Sequence, residues 1–139
     1  MSLKNVGFSG PNFVPAYQIS GVPYVTSSAG DPVSTTVPKK ITFPFVTRFF
    51  TVTNLSIDPL RVGFSENGVK GVETNNYFIV HASSSYGLQE LRCKELYLMS
   101  DGPGTVEWSL VAGLTSVPWG EFPVLTGTLN DVASFKGIG

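Results

Sequence analysis

The stretch GTVEWSLVAGLT, residues 104–115, alternates apolar and polar side chains over a full strand length. Val106, Trp108, Leu110, Ala112 and Leu114 fall on one face, and Thr105, Glu107 and Ser109 on the other. Side chains along a strand alternate faces, whereas those along a helix repeat about every 3.6 residues. A strand written this way buries one face, so the fold must supply a second layer to cover it.

Shorter segments of the same kind precede it. Ile41, Phe43 and Phe45 are apolar at odd positions, then the parity switches to Val46, Phe50 and Val52. A parity switch predicts a bulge or bend, and Pro44, which cannot donate to a ladder, belongs at an edge or in that bulge. Leu60, Val62 and Phe64 predict a second strand and residues 77–80 a third. YGLQELRCKELYLMS reads two ways. Glu90 and Lys94 are spaced as a helical pair, but Asp101-Gly102-Pro103-Gly104 turns the chain straight into the next strand. Two strand halves with a bulge near Lys94-Glu95 fit better.

Residues 1–40 form an arm, broken every few positions by glycine or proline yet carrying Phe8, Phe13, Tyr17 and Tyr24. Disordered segments are poor in such residues and rich in charge. Residues 116–139, a last strand end and second arm, repeat this character with Trp119, Phe122 and Phe135. These seven aromatics are the candidate interface anchors. With 41–115 as the core, short strands and frequent turns predict an all-β antiparallel sandwich. Bulged long strands and apolar arms favour a single jelly roll over an immunoglobulin-like sandwich.

Charge narrows the function classes. Only 14% of the 139 residues are charged, against roughly 25% in ordinary soluble domains. A low charge fraction suits a surface that meets protein rather than water. Nine basic and ten acidic residues give a net charge of −1, which argues against nucleic acid as a partner. No apolar run approaches the roughly 20 residues of a membrane span. No continuous hydrophobic leader opens the chain, which points to synthesis in a cytoplasm.

Reactive constellations are equally sparse. One histidine, His81, and one cysteine, Cys93, leave no Cys/His zinc set and no internal disulfide. A Ser-His pair could be drawn from His81 and Ser83–Ser85 with Asp101 or Glu73, but a strand end before a serine-rich turn explains the same residues. Cys93 reads as a small core residue. No spacing singles out a carboxylate pair among Glu66, Glu73, Glu90, Glu95, Glu107 and Glu121. No catalytic residue, cofactor or metal is expected. Asn54-Leu55-Ser56 matches a glycosylation sequon. Trp108 belongs to the core, while Tyr24, Tyr86 and Trp119 are placed to stack on a sugar or pack against protein.

RFFTVTN, LRVGFSENGVKG, NYFIV, ELRCKELYL, VEWSLVAGLT and the terminal GIG together resemble one family. It is that of the small single-jelly-roll capsid proteins, penton and minor, of icosahedral DNA viruses of algae and protists. The resemblance covers residues 41–115 and the last few residues. It implies a virion subunit without catalysis, made in the host cytoplasm, forming a homo-oligomer (a pentamer before a trimer) and contacting a major capsid protein. The larger insertion or tower domain of many penton proteins is missing, which favours a minor or cementing position over the vertex. A decoration or cement protein of a tailed-phage head is the nearest alternative. A glycan- or receptor-binding module is the alternative from another class.

Overall fold

Two antiparallel sheets pack face to face in the computed structural model, which describes residues 22–71 and 75–122. The strands are β1 (Val22–Ser27), β2 (Lys39–Thr42), β3 (Phe45–Asn54), β4 (Leu60–Gly63), β5 (Tyr77–Val80), β6 (Glu95–Ser100) and β7 (Trp108–Pro118). One sheet has the order β1-β7-β3 and the other β2-β6-β4-β5. Residues 84–89 extend the smaller sheet along the free edge of β3. There Phe50 and Gln89 exchange backbone hydrogen bonds of 3.0 and 2.9 Å, and Tyr86 N–H donates to the Val52 carbonyl. The all-β antiparallel sandwich expected from the sequence is therefore present. Successive strands cross from one sheet to the other except β4, β5 and β6, which share the four-stranded sheet, with residues 84–89 crossing to β3 between β5 and β6.

The inward faces are those the alternation marked. Val106, Trp108, Leu110, Ala112 and Leu114 are all buried, against Phe50 and Val52 of β3 and Ile41, Leu60, Val62, Leu96 and Leu98 of the opposite sheet. The parity switch at 43–46 is the corner where the chain leaves one sheet for the other. Phe43 ends the inward run of β2, Pro44 turns the chain, and β3 begins with register shifts on either side of Thr47. A bulge lets adjacent Val46 and Thr47 both be buried. Thr47 is satisfied there, donating to the Leu91 carbonyl at 2.7 Å and accepting from Cys93 N–H at 3.0 Å.

The sandwich extends beyond 41–115 at both ends. β1 lies inside the segment read as an arm, and β7 runs to Pro118. Pro23 disguises β1, but an edge strand has one side on which a missing N–H costs nothing.

The sequence reading also lacked α1 (Glu66–Lys70), a single helical turn. Its signals are all present: Ser65 Oγ accepts from Gly68 N–H at 2.8 Å, Glu66 pairs with Lys70 at 3.1 Å, and Gly71 closes it in the left-handed conformation at φ 70°. Val69 of this turn is fully buried on β4. A Cβ at Gly63 would stand 3.1 Å from Val69 Cβ, so the glycine makes room for the helix. The 90–94 segment is not helical; the chain enters β6 at Glu95.

Candidate interaction surfaces

The two outer sheet faces differ in kind. On the four-stranded sheet, residues alternating with the core positions include Lys40, Glu95, Tyr97, Arg61 and Tyr77. Lys40 pairs with Glu95 at 3.2 Å, and that hydrogen bond raises the pKa of Lys40. Arg61 pairs with Asp101 at 2.6 Å, stacks over Tyr77 at 4.4 Å and donates to the carbonyls of Val69 and Lys70. This face is charged, and α1 packs on part of it.

On the three-stranded sheet the outward positions are Pro23, Val25 and Ser27 of β1, Ser109, Val111 and Gly113 of β7, and Phe49, Thr51 and Thr53 of β3. None is charged. Val25 is 70% exposed and Val111 is 47% exposed, side by side in register. Phe49 lies across Gly113, where any Cβ would collide with its ring. Glycine thus lets an aromatic ring lie flat in the middle of this face.

One end of the sandwich carries a second apolar feature, the loop between β3 and β4. Leu55 is 57% exposed and Ile57 87% exposed. The loop is tightly held nonetheless. Buried Asn54 donates through Nδ2 to the carbonyls of Asp58 at 2.7 Å and Val80 at 3.2 Å, and accepts from Ser56 N–H at 2.9 Å. Leu55 N–H donates to the Glu107 carbonyl, and Ser56 Oγ accepts from Glu107 N–H. The sequon at Asn54 is accordingly occupied by structure: the nitrogen a glycan would take is buried and bonded twice.

The seven interface candidates separate. Phe8, Phe13, Tyr17 and Phe135 lie outside the described residues. Tyr24 faces inward, edge-on to Phe43 at 5.3 Å. Phe122 packs on buried Val46 and Val117. Trp119, 37% exposed, covers the ammonium of Lys94. Tyr24 and Phe122 thus spend part of their surface within the subunit. Leu55, Ile57, Val25 and Val111 were not singled out from sequence. The signal for the loop pair was available, since Asn54 and Pro59 bracket two aliphatics with no strand to bury them.

The reactive residues lie apart. His81 follows β5 at the end where Val80 and Ser100 both neighbour Leu60, while Cys93 precedes β6 at the opposite end. His81 is exposed and its carbonyl accepts from Ser84 N–H, closing a turn. Cys93 is buried beside Thr47 Oγ1 at 3.4 Å, and burial pushes its thiol up to about 12. The acidic side chains go to separate partners: Glu66 to Lys70, Glu95 to Lys40, Asp101 to Arg61 and Glu107 to Ser28. Among the described residues no group of three metal-ligating side chains converges, and no helix is long and apolar enough to cross a membrane. No family model, curated protein or solved structure matches this chain.

Proposed function

We propose that this chain is a structural subunit that works through its surfaces, a single-jelly-roll component of a virion that assembles with copies of itself. The observation that carries the reading is the asymmetry of the sheets. One outer face holds ion pairs suited to water, and the other presents Val25, Val111 and Phe49 among paired outward positions that carry no charged residue. Uncharged apolar surface of this kind marks a protein contact.

Strand order supports the jelly-roll reading. With residues 84–89 included, the layers run β1-β7-β3-(84–89) and β2-β6-β4-β5, eight segments that alternate between sheets except at the β4–β5 hairpin, the order of two interleaved Greek keys. The edges favour association by faces over association by strand addition. Pro23 interrupts β1, and Lys39 and Lys40 charge the edge of β2, both familiar devices against edge pairing. The virion assignment itself rests on the resemblance of the strands and turns, and so does the expectation of a major capsid protein as neighbour.

Light scattering on the purified full chain tests the reading. A closed ring is expected, five-fold before three-fold, with Val111→Lys shifting it to monomer while circular dichroism stays unchanged. A monodisperse monomer of the unaltered chain at high concentration overturns it.

A further inference from the structure

On one side of the sandwich the edge strands β1 and β2 belong to different sheets, and the sheets part between them. The gap is a cleft of about 270 Å³ whose wall includes Tyr24, Thr26, Lys39 and Trp108. We propose that this cleft binds one neutral sugar ring of a glycan. The proposal does not rest on the subunit reading above.

Charge decides the first part. Two lysines border the cleft, but each already has a counter-ion. Lys39 lies 3.6 Å from Asp31, and Lys40 lies 3.2 Å from Glu95. An anion would meet a carboxylate beside each lysine and a cation a lysine beside each carboxylate, whereas a neutral ligand can hydrogen-bond to both members of the Lys39–Asp31 pair without disturbing its charge balance.

Size and polarity decide the second. The volume is that of about nine water molecules at roughly 30 Å³ each, room for a single pyranose ring. A hydrocarbon there would strip water from Thr26 and the ion pair without replacing any hydrogen bond. Ligand hydroxyls replace them. Tyr24, held edge-on against Phe43, borders the cleft as well. An extended peptide is the poorer occupant, since proline and lysine guard the bordering edges.

A further observation comes from Trp108. Its Nε1 is, among the described residues, the buried side-chain polar atom without a hydrogen-bond partner. Buried donors are nearly always paired. It belongs to a residue of the cleft wall but is itself closed off from solvent, so its N–H reports on the cleft through its surroundings rather than by contact.

The test is nuclear magnetic resonance on the full chain labelled with ¹⁵N. It reads the indole N–H signals of the two tryptophans, Trp108 and Trp119, assigned with Trp119→Phe. The probes are the methyl glycosides of glucose, galactose and N-acetylglucosamine. The Trp108 signal should move saturably with at least one of them. Thr26→Val, which keeps shape and removes a hydroxyl, should weaken that binding about fivefold, the worth of one hydrogen bond. Lys39→Gln, at the more exposed rim, should weaken it as well. A Trp108 signal unmoved by all three glycosides overturns the proposal. So does binding untouched by both substitutions, or a preference for the anionic N-acetylneuraminate.

Discussion

The Lys94 ammonium lies 4.1 Å from the centre of the Trp119 ring and donates to the Phe122 carbonyl at 3.1 Å. Lys94 is 4% exposed, so the charge is largely withdrawn from water and relies on the ring and the carbonyl. The turn after β7 is thereby fastened to the segment that leads into β6.

Trp119→Ala should therefore destabilise the subunit by about 1–2 kcal/mol, through loss of a partly desolvated cation–π contact. Lys94→Met, which keeps the length without the charge, should cost less than Lys94→Ala, because an apolar replacement removes the buried charge. Thermal melts of the three variants check this. An effect of Trp119→Ala on assembly counts as an interface effect only when it exceeds the loss of stability.

Asn54 organises its loop through both ends of its amide. Asn54→Ala should cost about 2–3 kcal/mol by leaving the Val80 and Asp58 carbonyls unpaired. Amide hydrogen exchange should then quicken at Ser56, whose N–H loses its acceptor. Asn54→Asp should not restore stability, since a carboxylate cannot donate to those carbonyls.

Gly113→Ala forces the Phe49 ring off its seat, and Phe49→Ala uncovers the strand beneath. The first should destabilise by roughly 1–3 kcal/mol as an overpacking change. Combining Gly113→Ala with Phe49→Ala should recover part of the loss, a non-additivity that a double-mutant cycle reads directly.

Cys93 provides a pH signature. Its thiol pKa is raised from 9.0 to about 12 by burial, so the unfolded chain releases this proton first. The contribution to stability is complete below pH 9, falls as pH rises, and is exhausted near pH 12. Cys93→Ala should flatten the alkaline fall in denaturant midpoint. In the native chain at pH 8 the thiol should resist disulfide reagents and react only on unfolding.

How far the sequence revealed this arrangement depended on whether a pattern was local. The inward face of β7 was legible because strict alternation has one reading, and the corner at Pro44 because parity and proline agree. β1 was hidden, since VPYVTS is a strand only by virtue of β7 beside it, a partner more than eighty residues away. α1 was missed although Ser65, Glu66, Lys70 and Gly71 spell a capped turn, because Asn67-Gly68 is also a strong hairpin signal. The uncharged sheet face could not be seen at all. Val25, Val111 and Phe49 come from three strands, and only their register makes them neighbours. The cleft between β1 and β2 likewise exists only once two sheets have chosen their edges.

The pairing of Ser27 with Ser109 and of Val22 with Leu114 has a consequence in time. The first described strand acquires its partner only when the last has formed, and β7 must also find β3. Closing such distant pairs expends chain entropy before any contact repays it, so folding should proceed on the order of milliseconds to seconds rather than microseconds. On a ribosome, the earlier strands would wait for β7 to emerge from the exit tunnel. Until then they are kept from wrong neighbours by the proline and lysines that also mark the edges of the finished sandwich.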